Sequence, residues 1–248
     1  MKIKMIFIII SVFVLISRAD AQTWDGSEST NWNTPGNWNT NAVPLTTGAV
    51  IIPVTANKPV LPANTTIASL NMTGGSELNV NGFSLFVTAN VNVAGAIFNN
   101  SNGASDIVIT VSGGGGAGSN YIGSCTFNDH VTININGTGT SYEGYNAGNT
   151  FNGNTFFNLN GPGRFYSSYN LKSTFNGNLT VNRTIAGITD LFNNGYENIT
   201  GNFNYTNNAG GDNYINSGNI LSGSIGGTIN ITTSGTGNPI FMLRRIKN

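Results

Sequence analysis

The chain has 248 residues, a formal net charge of +0 and only 8% charged side chains. So little positive charge releases few phosphate counterions on binding, which argues against a nucleic-acid partner. Cys125 is the single cysteine, so no disulfide framework exists, and 42 asparagines beside 33 glycines make the chain polar without being charged.

In chain order, residues 1–21 read as a secretory signal. Lys2 and Lys4 precede an apolar run from Ile6 to Ile16, and Ala19-Asp20-Ala21 gives a small-x-small cleavage site before Gln22. A membrane-spanning helix needs about 20 apolar residues, and this run is shorter. No cysteine follows the run, which argues against a lipoprotein, and no second hydrophobic segment occurs. The expectation is an exported chain with no membrane-spanning segment after cleavage. Cleavage leaves seven basic and nine acidic side chains, a net charge of about −2.

Residues 22–64 carry all three tryptophans, Trp24, Trp32 and Trp38, and five of the seven prolines. They fit a terminal cap, which a repeat stack requires to cover unpaired backbone and apolar surface. The tryptophans read better as the small core of that cap than as an exposed sugar-binding surface. From Thr65 to Asn102 apolar and polar residues alternate, as in Glu77-Leu78-Asn79-Val80.

Beyond this a 24-residue period holds. Glycine falls at Gly115, Gly139, Gly163, Gly187, Gly211 and Gly235, and the phrase Thr-Phe-Asn at Thr126, Thr150 and Thr174. Apolar residues keep the same step through Ile107/Ile109/Val111, Val131/Ile133/Ile135, Phe157/Leu159, Leu179/Val181 and Phe203/Tyr205, with Ile229/Ile231 continuing the series. Within each unit they sit at i, i+2 and i+4, which is the period of a strand. Asn, Gly, Thr and Ser between them bend the chain. A repeat this short is below the roughly 40 residues of a propeller blade. The prediction is an all-β parallel β-helix (β-solenoid) over 65–240, with about 24 residues per coil, an N-terminal cap, and a short tail over 241–248. Strict apolar phasing also argues against disorder, despite the biased composition.

Stacking coils at about 4.8 Å places like over like. Phe127, Phe151, Phe175 and Ile199 form an expected inward column; Tyr121, Tyr145 and Tyr169 a second; Asn128, Asn152 and Asn176 a hydrogen-bonded third. The glycine column marks a corner with no room for a Cβ.

The opening TWDGSESTNWNTPGNWNTNAVP, the following AVIIPVTANKPVLP and TIASLNMTGGSELNVNGFSLFVTANVNVAG, and the TFNGN phrases resemble the adhesin-like, repeat-containing exported proteins of Bacteroidetes, many of them type IX secretion cargo. The resemblance implies a right-handed β-helix at or outside the cell surface. Type IX cargo ends in a β-sandwich sorting domain, whereas this chain ends in Phe241-Met242-Leu243-Arg244-Arg245-Ile246-Lys247-Asn248. That departure implies a truncated reading frame or another export route.

No catalytic constellation emerges, and no catalytic, cofactor-binding or metal-ligating residue is assigned. Asp25, Glu28, Glu77, Asp106, Asp129, Glu143, Asp190, Glu197 and Asp212 give no evident pair facing across a substrate, nor a calcium cluster. Arg164, Lys172 and Arg183 fall on different parts of the coil. His130 takes the position of Asn154, Asn178 and Asn202, and Asp129 that of Gly153, Gly177 and Gly201, so this pair reads as a turn variant. The Gly113–Gly116 run lacks a following Lys and helix, so it reads as a corner and not a phosphate loop. Cys125 reads as a small buried filler. The Thr126/Thr150/Thr174 column is one residue wide, without the Thr-x-Thr arrays of ice-binding solenoids. The expected function is a non-enzymatic, extracellular or cell-surface adhesive β-solenoid meeting a polysaccharide or another cell surface. The alternative is a carbohydrate-active β-helix, either an enzyme or a binding module.

Overall fold

The computed structural model describes residues 21–113, 119–169, 171–193, 197–215, 223–234 and 239–241. The secretory signal, all of the tail after Phe241, and two members of the glycine series, Gly115 and Gly235, lie outside these residues.

The chain is an all-β solenoid with three faces. A single coil shows the plan: Asn120–Gly123 lies on face 1, Thr126–Phe127 on face 2 and Val131–Ile135 on face 3, before Ser141–Glu143 returns to face 1. Among the described residues face 1 has ten strands, face 2 seven and face 3 eight, and all but the end strands pair in parallel with the coils before and after. Face 1 begins with Gln22–Thr23 and Ala49–Ile52, so the first rungs of the solenoid already run through the cap region.

Register follows the apolar phase. Val131 pairs with Ile107 and Thr155, and Ile133 with Ile109 and Phe157. Inward alternation is strict on face 3, where Val131, Ile133 and Ile135 are buried and Thr132 and Asn134 are not. A one-residue slip would turn this whole apolar set outward, so the register is strongly specified. Phe98, Phe127, Phe151 and Phe175 form one buried column, with adjacent centroids 4.8, 4.9 and 4.6 Å apart and planes within 5°. Aromatic pairs favour offset-stacked or edge-to-face contact; the spacing of paired strands selects the parallel stack here.

The exposed amide columns are also present. Asn152 Nδ2 donates to Asn128 Oδ1 and Asn176 Nδ2 to Asn152 Oδ1, both at 2.9 Å. A parallel ladder on face 3 joins Asn134, Asn158 and Asn182 in the same way. The glycine corner excludes Cβ atoms as expected: one on Gly163 would fall on the Gly139 carbonyl oxygen, and Gly211 has φ +93°.

The coil length is not uniform. The step is 24 residues through the regular repeats, but 20 between Asn64 and Ser84, 29 between Asn99 and Asn128, and 26 between Asn204 and Asn230. This corrects the expected tyrosine column. Tyr121 lies over Tyr142, not Tyr145, and Tyr142 lies over Tyr166. The reason is a corner that widens. In one coil the chain passes from Gly123 on face 1 almost directly to Thr126 on face 2; in the next it runs from Glu143 to Thr150. The added residues carry Tyr145, and their counterparts one coil on carry Tyr169.

The cap has its own aromatic core. Trp24, Trp32 and Trp38 are buried and meet edge to face, with Trp38 at 5.1 Å from Trp24 and 4.8 Å from Trp32. Trp24 Nε1 donates to the Asn57 carbonyl and Trp38 Nε1 to that of Trp32, each at 2.8 Å. These rings are structural and offer no sugar-binding surface.

Candidate functional site

Outward positions of face 1 carry Tyr121, Tyr142 and Tyr166 in register, with centroids 5.3 and 5.1 Å apart and planes within 4°. Beside them the wide corner carries Tyr145 and Tyr169, 5.9 Å apart. The two columns interlock: Tyr145 tilts against Tyr121 at 4.4 Å, and Tyr169 meets Tyr142 edge-on at 4.6 Å. The Arg164 guanidinium lies 4.5 Å from the centre of the Tyr166 ring. Partial burial pushes the Tyr142 and Tyr166 phenols up, so both stay neutral donors and acceptors at ordinary pH. Five half-buried tyrosines thus form one contiguous patch, whereas the exposed large apolar residues among those described are scattered.

The widening corner shapes the foot of this patch. Ser124 and Asn146 turn there in the left-handed region, at φ 58° and 63°. The overhang of the longer corner leaves a groove of about 320 Å³ between Asn92, Tyr121, Ser124, Tyr145 and Asn146.

Behind the same corner lies a buried polar cluster that reading the carboxylates one by one did not find. Glu143 and Glu197 are 1% and 5% exposed. Asn149 Nδ2 and Ser173 Oγ donate to Glu143 Oε1, and the Ser168 N–H to Oε2. Ser167 and Ser168 hydroxyls donate to Glu197 Oε1, while Glu197 Oε2 has no partner. Desolvation pushes both carboxyls above the ordinary range, Glu197 further because Glu143 also acts on it. The signal was present in the alternation: the pattern that turns Ile199 inward turns Glu197 inward too. Being enclosed, the two acids cannot flank a substrate.

Arg183, on the inward phase of Leu179 and Val181, is buried as well. Its Nη1 and Nη2 donate to the carbonyls of Gly161, Ile185, Gly163 and Ile188, and Nε to Thr189 Oγ1. Desolvation lowers its pKa to about 10, and among the described residues no carboxylate offsets that loss. It braces the glycine corner from within.

His130, Asp129, Cys125 and Glu77 have structural roles. His130 Nδ1 accepts from the Asn154 N–H at 2.7 Å, as Asn154 Oδ1 accepts from Asn178 and Asn178 Oδ1 from Asn202. Asp129 accepts from the His130 N–H and from Asn100 Nδ2, so its carboxylate does not orient the imidazole. Cys125 is buried, and burial pushes its thiol up to about 11. Glu77 pairs with Lys58 at 3.7 Å on the surface. Among the described residues no group of three or more His, Cys, Asp or Glu could hold a metal ion, and no helix is long and apolar enough to cross a membrane.

A family model described as a domain of unknown function (DUF8693) matches residues 23–122. That stretch takes in the tryptophan cap and the early coils, and ends at Ile122, where the corner begins to widen. Comparison with curated proteins and with solved structures gives no match.

Proposed function

We propose that this chain is an exported, non-enzymatic β-solenoid that acts as an adhesive rod at the cell surface and meets polysaccharide through its tyrosine face. The observation that carries this reading is the contiguous patch of Tyr121, Tyr142, Tyr145, Tyr166 and Tyr169 beside an uncharged groove. Amphipathic rings of this kind offer apolar contact area and a hydroxyl at little entropic cost, which suits the mixed C–H and O–H surface of a sugar. Stacked coils keep the patch rigid, and repeated weak contacts along a glycan raise the overall avidity. The resemblance to adhesin-like surface proteins points the same way.

The enclosed Glu143 and Glu197 and the structural hydrogen bonds of Asp129 and His130 favour binding over hydrolysis or lyase chemistry. The test is a pull-down of the chain from Gln22 onward on a polysaccharide panel and on intact bacterial cells. Retention on at least one polysaccharide or cell surface is expected. Failure to bind any of them overturns the adhesive reading.

A further inference from the structure

The tyrosine stack has two different ends. Tyr166 has the Arg164 guanidinium against its ring. Tyr121 is stacked on one side by Tyr142, but on its other side the strand register brings Asn92, an amide and not a ring. One face of Tyr121 therefore opens into the groove of about 320 Å³, a volume within the range of small-ligand sites. Tyr145 closes the groove at an angle of 50° to Tyr121.

Besides the two tyrosines, three polar side chains line it, those of Asn92, Ser124 and Asn146, and none of its described lining residues is charged. Two amides and a hydroxyl supply donors and acceptors together, the complement of neighbouring sugar hydroxyls. Ser124 and Asn146 occupy left-handed backbone at this point, and for serine that is a strained conformation. Such strain collects where a site must hold its shape. A charged ligand would find no counter-ion here, and a wholly apolar one would bury both amides unpaired.

We infer that the groove binds one neutral pyranose unit of a glycan, stacked on the open face of Tyr121 and hydrogen-bonded by Asn92, Ser124 and Asn146. The inference rests on the polysaccharide-binding reading above and gives it a location and a ligand class. The site lies at the end of the tyrosine stack, whereas the stacked rings above it present edges and hydroxyls along the rod.

Calorimetric titration of the intact chain with neutral gluco-, manno-, xylo- and galacto-oligosaccharides tests this. At least one should bind, and Tyr121→Ala should weaken that binding about tenfold, the scale of a lost aromatic contact. Asn92→Ala should weaken it too, while Phe86→Ala, on an outward position of face 3, should not. Unchanged circular dichroism and melting would show each variant folded, and Tyr121→Phe, which keeps the ring, should retain most of the affinity if a variant loses its fold. Wild-type affinity in folded Tyr121→Ala and Asn92→Ala would overturn the groove and leave the adhesive rod standing. No binding of any neutral oligosaccharide, with polysaccharide still retained in the pull-down, would overturn the groove alone. Failure of both would overturn both readings.

Discussion

At the scale of single residues, the unusual ones are those that do the work of a repeat position with different chemistry. His130 stands in an asparagine column and supplies the same acceptor through Nδ1. His130→Asn is expected to leave stability within about 0.5 kcal/mol, while His130→Leu loses about 1 kcal/mol with the Asn154 N–H left unpaired; urea titration measures both. The column position was legible in the spacing. Glu143 and Glu197 were not legible as a pair, because they share no repeat position and meet only through the widened corner. Their carboxyls keep protons at a pH where the unfolded chain has released them. The unfolded state then binds fewer protons, so stability falls as pH rises. This contribution is complete below the ordinary glutamate value of about 4.3 and is lost as pH climbs towards the raised native values. Glu197→Gln is predicted to flatten the melting temperature across that range and to stabilise the protein at pH 7 by about 1–3 kcal/mol. A thermal-melt series from pH 4 to 8 checks it; a variant as pH-dependent as the parent would show that Glu197 ionises freely.

At the scale of elements, stability passes from rung to rung. Phe151 packs between Phe127 and Phe175, so Phe151→Ala opens a cavity between two coils and should cost about 3–5 kcal/mol. Replacing Thr150, the half-buried neighbour on the same strand, should cost well under that. Equal losses at the two sites in denaturant titrations would contradict the assigned register. The parallel pairing and the phenylalanine and asparagine ladders were readable from period and alternation, since both follow directly from like stacking over like. The tyrosine ladder was not, because spacing in sequence equals spacing in space only while every coil has the same length. Between Tyr121 and Tyr142 the corner grows, and hydrogen-bonded register overrides the count. The groove went unseen for the same reason: it exists only where a short corner meets a long one.

At the scale of the whole molecule, the ten described strands of face 1, stacked at about 4.8 Å, make a rod about 40 Å long. Its described surface is rich in amides and hydroxyls, with few charges, and its most distinctive patch is aromatic. Such an object has little means of long-range electrostatic steering, so its binding should depend weakly on salt and strongly on the number of glycan units reached at once. A polysaccharide and its own short oligosaccharide should therefore differ in apparent affinity by about a hundredfold or more.

An adhesive rod is told from an enzyme by following binding and turnover together. The chain from Gln22 onward is incubated with an insoluble polysaccharide that it retains, and the sedimented protein and the released sugars are quantified in the same tube. Protein should sediment with the glycan, Tyr121→Ala should reduce this fraction, and soluble reducing ends and unsaturated products should stay at the level of the protein-free control. Sustained release of either product would contradict the adhesive reading and make the chain a carbohydrate-active enzyme.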